Sequence, residues 1–185
     1  MVSTSFWTGR QINACLVFST PRISIDYLML IVIPARSDKV QKSSPLRVMF
    51  LCTGNSCRSQ MAEGLARELG KGVLEPSSAG LLAAGVHPRA IDVMKEIGID
   101  ISNQKSKVID EAEITTMDMV ITLCSYVEEA CPLTPAGIQR FHWPIKDPVA
   151  TIGSGAEVMK DFRRARDEIK EKIEYLIKKI IQERA

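Results

Sequence analysis

Apolar and polar positions along this chain change rhythm several times, and each change marks an element. Val48, Met49, Phe50 and Leu51 form an unbroken apolar run that predicts a strand over 47–51. Beyond a stretch of small polar residues, Met61, Ala62, Leu65, Ala66 and Leu69 recur at helical spacing and predict a helix near 58–70. A second strand is expected near 73–78, closed by Ala79 and Gly80. Pro88 stands where a helix begins and Gly98 where it stops, with Ala90, Ile91, Val93, Met94 and Ile97 as its buried face. Residues 119–123 are another apolar strand, and a fourth should cover 139–143. The last helix is the plainest: Val158, Phe162, Ala165, Ile169, Ile173, Leu176 and Ile180 follow one another at intervals of three or four.

Strands alternating with helices predict an α/β fold, a four-stranded parallel sheet in three layers with helices on both faces. Ligands of such sheets gather at the carboxyl ends of strands. Cys52 and Cys124 both fall there.

Residues 1–45 read differently. Their apolar run at 28–33 is too short to span a bilayer, and it lacks a clean small-residue cleavage pattern. Cys15 lies here with no assigned role. Ser43, Ser44 and Pro45 make a boundary. The expectation is an N-terminal extension over 1–45, disordered or loosely attached, and a main domain over 46–185.

The chain has 185 residues, which supports one good core and not convincingly two. With 24 basic and 22 acidic side chains, nothing argues for nucleic acid or a membrane surface as partner. His87 and His142 are far apart, and no Cys/His spacing matches a zinc site, so no metal is expected. Five cysteines without a secreted-scaffold pattern fit a reducing cytoplasm better than a disulfide framework.

The richest chemistry lies between the first strand and the first helix. Cys52, Thr53, Gly54, Asn55, Ser56, Cys57, Arg58 and Ser59 make a tight loop that opens on a thiol and closes on a guanidinium. Loop amides and a helix N-terminus suit a tetrahedral oxyanion. Arg58 can fork onto two of its oxygens, and Cys52 can attack the central atom. A helix N-terminus and a nearby Arg favour the thiolate of Cys52, and Ser59 either adds a hydroxyl hydrogen bond or caps the helix. Cys57 reads as a space-filler, with a redox role as the alternative. The Cys-x5-Arg spacing alone is common by chance; the strand before it and the helix after it give it meaning.

Asp147-Pro148 reads as a loop near the same sheet edge, where a carboxylic acid could protonate a leaving oxygen or simply make a turn. His142 and Trp143 read as packing residues. Cys124 and Cys131 flank a polar stretch, residues 125–130, that reads as a mobile surface loop. Alone they are two unrelated thiols; beside a nucleophilic cysteine they become a candidate thiol–disulfide relay.

Taken together, the Cys52–Ser59 loop, Ser78-Ala79-Gly80, Cys124 with Cys131, and His142-Trp143 with Asp147-Pro148 resemble the thioredoxin-coupled arsenate reductases, built on the low-molecular-weight protein tyrosine phosphatase fold. The resemblance runs from about Arg47 to the final helix. It implies that Cys52 attacks arsenate held by residues 53–59, with Asp147 as proton donor. It further implies a Cys52–Cys124 disulfide that passes to Cys124–Cys131 and is reduced by thioredoxin, in a cytoplasmic monomer without cofactor. Phosphate would bind as an analogue and go no further than ester hydrolysis.

Some members of that family hold a potassium ion beside the loop through an Asn, a Glu, a Ser and an Asp. Asn55, Glu63 and Ser78 match, but Lys107 stands at the Asp position. Either its ammonium takes the cation's place and supports the loop, with little potassium dependence expected, or Lys107 is simply a solvated lysine. Two other functions use the same residues. One is a phosphatase relying on Cys52, Arg58 and Asp147, although Val149-Ala150-Thr151 follows Asp-Pro where such phosphatases carry aromatics. The other is a non-catalytic oxyanion-binding module.

Overall fold

A computed structural model describes residues 44–130 and 134–185. The N-terminal extension up to residue 43, including Cys15 and the apolar run at 28–33, lies outside the described residues, and so does Cys131.

Four strands, β1 (Leu46–Cys52), β2 (Leu74–Gly80), β3 (Met119–Thr122) and β4 (Gln139–His142), pair in the order β2-β1-β3-β4, all parallel. Val48, Met49, Phe50 and Leu51 are each fully buried. Successive strand residues point to opposite faces, so both faces of β1 are covered. That explains why its sequence is apolar without alternation.

Helix α1 (Arg58–Leu69) follows β1 directly and packs against β1, β2 and the long C-terminal helix. Met61, Ala62, Leu65 and Ala66 are fully buried as expected, whereas Leu69 in the last turn is 37 % exposed. Helix α2 (Pro88–Lys95) starts at the expected proline, capped by His87. Ala90, Val93 and Met94 are buried. Ile91 is only half-buried and Ile97 is exposed, because the helix stops at Lys95 and Ile97 lies in the turn leading to Gly98. A short helix, α3 (Glu111–Ile114), and a six-residue helix, α4 (Ser125–Ala130), come where the pattern gave no helix. The C-terminal helix α5 (Gly155–Arg184) buries every residue of the predicted stripe. Ser154 and Glu157 close its N-terminus as a reciprocal capping box.

Candidate active site

The loop between β1 and α1 is held by its own polar atoms. Asn55 is fully buried and takes a left-handed backbone conformation, φ +45°, which a short polar side chain tolerates. Its amide group donates to Ser59 Oγ at 2.9 Å and to Ser78 Oγ at 2.8 Å. Its carbonyl oxygen accepts from the Lys107 backbone N–H at 2.7 Å and from Gln60 Nε2 at 3.0 Å. Two donors and two acceptor positions exhaust what an asparagine offers. Ser78 in turn donates to Glu63 Oε2 at 2.6 Å, and Glu63 pairs with Arg67.

The Ser59 hydroxyl lies 2.9 Å from Cys52 Sγ. Because Asn55 already donates to Ser59 Oγ, the serine's own hydrogen is left for the sulfur. Ser59 is therefore a partner of the thiol and not a helix cap; the cap position of α1 is Cys57, which makes no side-chain cap bond.

Loop carbonyls are tied outward. Thr53 O, Gly54 O and Ser56 O accept from the N–H groups of Leu82, Ala84 and His87 at 2.9, 2.9 and 3.0 Å. Among the described residues no backbone carbonyl takes up the amide hydrogens of Gly54 to Arg58. Donors at an uncapped helix start, with their carbonyls turned away, are the arrangement that a concave anion site requires. Gly80 brings β2 against this loop so closely that an added Cβ would stand 2.5 Å from Asn55 N and 2.7 Å from Cys52 O.

Arg58 is buried at the first position of α1, and its guanidinium reaches Ile145 O at 2.9 Å and Asp147 Oδ2 at 2.8 Å. The sequence-predicted anion anchor and proton donor are thus in direct contact. Asp147 also accepts from Val149 N–H at 3.1 Å, capping the single 3-10 turn Pro148–Ala150. The turn reading of Asp-Pro holds, and the same carboxylate also contacts Arg58. Asp161 on α5 accepts from Thr151 and lies 3.8 Å from Lys146 Nζ, while Arg164 donates to Lys146 O at 3.2 Å, so the Asp147 loop is clamped from both ends.

Cys124 follows β3, the neighbour of β1, and its sulfur lies 3.4 Å from Thr53 Oγ1. Cys52 and Cys124 are both buried free thiols. Residues 125–130, expected as a mobile loop, form α4 instead. The reason is tertiary. Val127 is fully buried, and Glu128 accepts from Thr122 Oγ1 at 2.5 Å and from Arg140 Nη2 at 3.2 Å. Thr122 has one hydrogen and gives it to Glu128, so the 2.9 Å contact between Thr122 Oγ1 and His142 Nδ1 is donated by the ring. Partial burial raises the Glu128 pKa, but the hydrogen bonds from Thr122 and Arg140 and the nearby positive charge outweigh it and leave the carboxyl below its ordinary value. His142 is thus a network member, while Trp143 packs on Phe50 with ring centroids 6.2 Å apart.

Burial pushes the Cys57 thiol up to about 12, so it stays protonated at neutral pH, as befits a space-filler. Lys107 departs from expectation. Its ammonium pairs with Glu113, six residues on, and only its backbone N–H reaches the loop, through Asn55. The short helix α3 places that carboxylate within reach. Sequence reading missed Gln60, fully buried on α1 and bonded to Asn55, and missed Glu128 with Arg140. A glutamine on an apolar helix face was the available signal for the first; the second pair meets only through the fold.

Residues 47–185 match the family model described as low molecular weight phosphotyrosine protein phosphatase. A curated relative from Halalkalibacterium halodurans, named arsenate reductase, is 48% identical over 126 residues, covering 68% of this chain and 91% of its own. A solved structure titled as an arsenate reductase in the phosphate binding state is 40% identical, with a TM-score of 0.61 over 73% of this chain and 98% of its own. The thioredoxin-dependent arsenate reductase of Corynebacterium glutamicum is 27% identical, with a TM-score of 0.61 over 78% of this chain and 65% of its own. With its sheet order, its Cys52–Arg58 loop and these matches, the chain belongs to the low molecular weight phosphotyrosine protein phosphatase family and, within it, stands with relatives named arsenate reductase.

Proposed function

We propose that the protein reduces arsenate to arsenite, with Cys52, Cys124 and Cys131 carrying two electrons as a disulfide relay that thioredoxin resets in the cytoplasm. The observation that carries this reading beyond ester hydrolysis is the 3.4 Å contact between Thr53 and Cys124. It sets a second thiol beside the first one's strand end. Leu51 and Thr122 are in register, so Cys124 leaves β3 beside the place where the chain leaves β1 after Cys52.

The oxyanion sits on the amides of residues 54–58, and Arg58 turns from Asp147 onto its oxygens. Cys52 attacks arsenic. Asp147, released by Arg58, passes a proton to the departing hydroxyl, which leaves as water. Cys124 then attacks the Cys52 sulfur. The sulfur–arsenic bond breaks with its electron pair staying on arsenic, so As(V) becomes As(III) and leaves as arsenite. Cys131 attacks Cys124, forming Cys124–Cys131 and freeing Cys52. The dithiol of thioredoxin reduces that bond.

This last transfer requires α4 to open. A helix rises about 1.5 Å per residue, so the six steps from Cys124 to Ala130 span roughly 9 Å. The relatives named arsenate reductase and the neighbour titled thioredoxin-dependent support the substrate and the electron donor.

The test is arsenite formation with a thioredoxin system for wild type and for Cys52→Ser, Cys124→Ser and Cys131→Ser. Loss in all three is expected. Loss in Cys52→Ser alone removes the relay and leaves a hydrolase acting on phosphate esters.

A further inference from the structure

The relay asks α4 to be closed when Cys124 attacks and open when Cys131 attacks, so something must set how readily it opens. Glu128 and Arg140 are placed to do this. The guanidinium of Arg140, in the middle of β4, donates to the Glu128 carboxylate through Nε at 3.3 Å and Nη2 at 3.2 Å. It also donates to the Glu128 backbone carbonyl at 2.9 Å. Through Nη1 it reaches Thr134 Oγ1 at 3.2 Å. One side chain of the sheet therefore grips the helix before residue 131 and the chain after residue 133. Thr122 and, behind it, His142 complete the grip from β3 and β4. Apart from Val127, α4 has no other buried residue.

We propose that Glu128 and Arg140 form a latch that holds α4 wound and so limits the rate of the second sulfur transfer. The inference rests on the relay reading above. In the step concerned, the Cys131 sulfur bonds to the Cys124 sulfur, the Cys52–Cys124 bond breaks, and Cys52 departs with the electron pair. The proton lost by Cys131 is balanced by the one Cys52 can regain, and no external oxidant or reductant takes part. Neither latch residue touches arsenic; both act as positioning residues through α4.

The experiment mixes the fully reduced full-length protein with one equivalent of arsenate and no reductant, quenches by alkylation, and identifies the disulfides by peptide mass spectrometry. Wild type, Glu128→Gln, Glu128→Ala and Arg140→Met are compared. The latch requires arsenite release at the wild-type rate and conversion of Cys52–Cys124 to Cys124–Cys131 about three- to tenfold faster in the variants, the size set by a partly exposed charge-assisted pair. Hydrogen exchange in the reduced proteins provides a readout independent of turnover: amides of α4 should exchange faster while those of β3 and β4 keep their protection. Unchanged or slower conversion in the variants overturns the latch while leaving the relay standing. A wild type that never forms Cys124–Cys131 overturns both. Faster exchange throughout the sheet shows a merely structural pair and also overturns it.

Discussion

The Cys52–Ser59 loop and helix α4 both carry a cysteine at the end of a parallel strand, yet they are held in opposite ways. The loop is locked from within. Asn55 spends every donor and acceptor position, its neighbours Ser59, Gln60 and Ser78 are fully buried, and Gly80 leaves no free volume beneath it. Helix α4 is six residues long, too short to be stable by itself, with one buried side chain and a charged grip that is about one-third exposed at Glu128 and one-fifth at Arg140. A buried, saturated network has no lower-energy alternative nearby. A partly exposed ion pair is worth less than a buried one and can be exchanged for water. The difference matches what the proposed relay asks of each region: the anion site needs fixed donors, and the second thiol needs a segment that yields.

Breaking the rigid side should cost most. In Gly80→Ala the new methyl meets Asn55 N, Cys52 O and Leu82 O, all backbone, so the loop or the end of β2 must move. Overpacking of this kind costs about 1–3 kcal/mol in stability. Misplacement of catalytic donors by about 1 Å can cost a hundredfold in rate, so turnover should fall by about two orders of magnitude. Phosphate competition against arsenate would weaken in parallel. Wild-type phosphate affinity in Gly80→Ala would show that the loop is softer than its packing requires.

Asn55 comes next. Asn55→Gly keeps the positive φ and removes only the side chain, whereas Asn55→Ala also strains the backbone. Each variant strips partners from Ser59, Ser78, Gln60 and the Lys107 N–H. Leaving several of these unsatisfied should cost about 2–4 kcal/mol in urea unfolding, with Ala the worse by about 1 kcal/mol. Equal losses would place the effect wholly in the hydrogen bonds.

The sequence disclosed the Cys52–Ser59 loop far better than helix α4, for physical reasons. Elements with a repeated burial pattern are legible because one face recurs: β1, α1 and the stripe of α5 all lie where the periodicity puts them. The loop is legible because small residues between a buried strand and a helix have few other uses. Helix α4 has too few residues for a period, and its cause, Arg140, is twelve positions from Glu128 and visible only once β3 and β4 pair. Lys107 teaches a similar limit. Its position beside Asn55 could be read from resemblance, but the direction of its side chain was decided by Glu113 on a four-residue helix. Lys107→Met should accordingly change turnover by less than about twofold, since the backbone N–H that reaches Asn55 remains and exposed pairs contribute about 1 kcal/mol or less.

On the yielding side, the comparison sharpens with pH. The Glu128 carboxyl is held below its ordinary value of 4.5. A depressed folded-state value means the pair stabilises the folded chain fully above the ordinary value and loses that contribution as pH falls through the lower one. Carbon-13 NMR of labelled Glu128 should therefore titrate below 4.5 in wild type, and move upward in Arg140→Met. A titration unaffected by Arg140→Met would mean that the Thr122 hydrogen bond alone holds the carboxylate. Tightening and loosening of α4 would then have to be sought at β3.

The smallest effect belongs to the thiol inside the rigid region that takes no part in the chemistry. Cys57 lies between Ser56 and Arg58, 5% exposed, with a Ser56 hydroxyl 4.0 Å from its sulfur. Burial raises its pKa to about 12, and the charges of Cys52 and Asp147 add to the rise while Ser56 and Arg58 only partly offset it. At pH 8 it is a buried thiol, with neither the ionisation nor the access that alkylation needs. Iodoacetamide should leave Cys57 unmodified in the folded protein and label it only in urea. Cys57→Ala should keep turnover within about threefold, the cost being a small cavity beside the loop. A Cys57 adduct in the native protein at pH 8, or a Cys52–Cys57 disulfide after arsenate turnover, would show that electrons leave the loop by a nearer route than Cys124, and the contrast between a fixed loop and a yielding helix would lose its purpose.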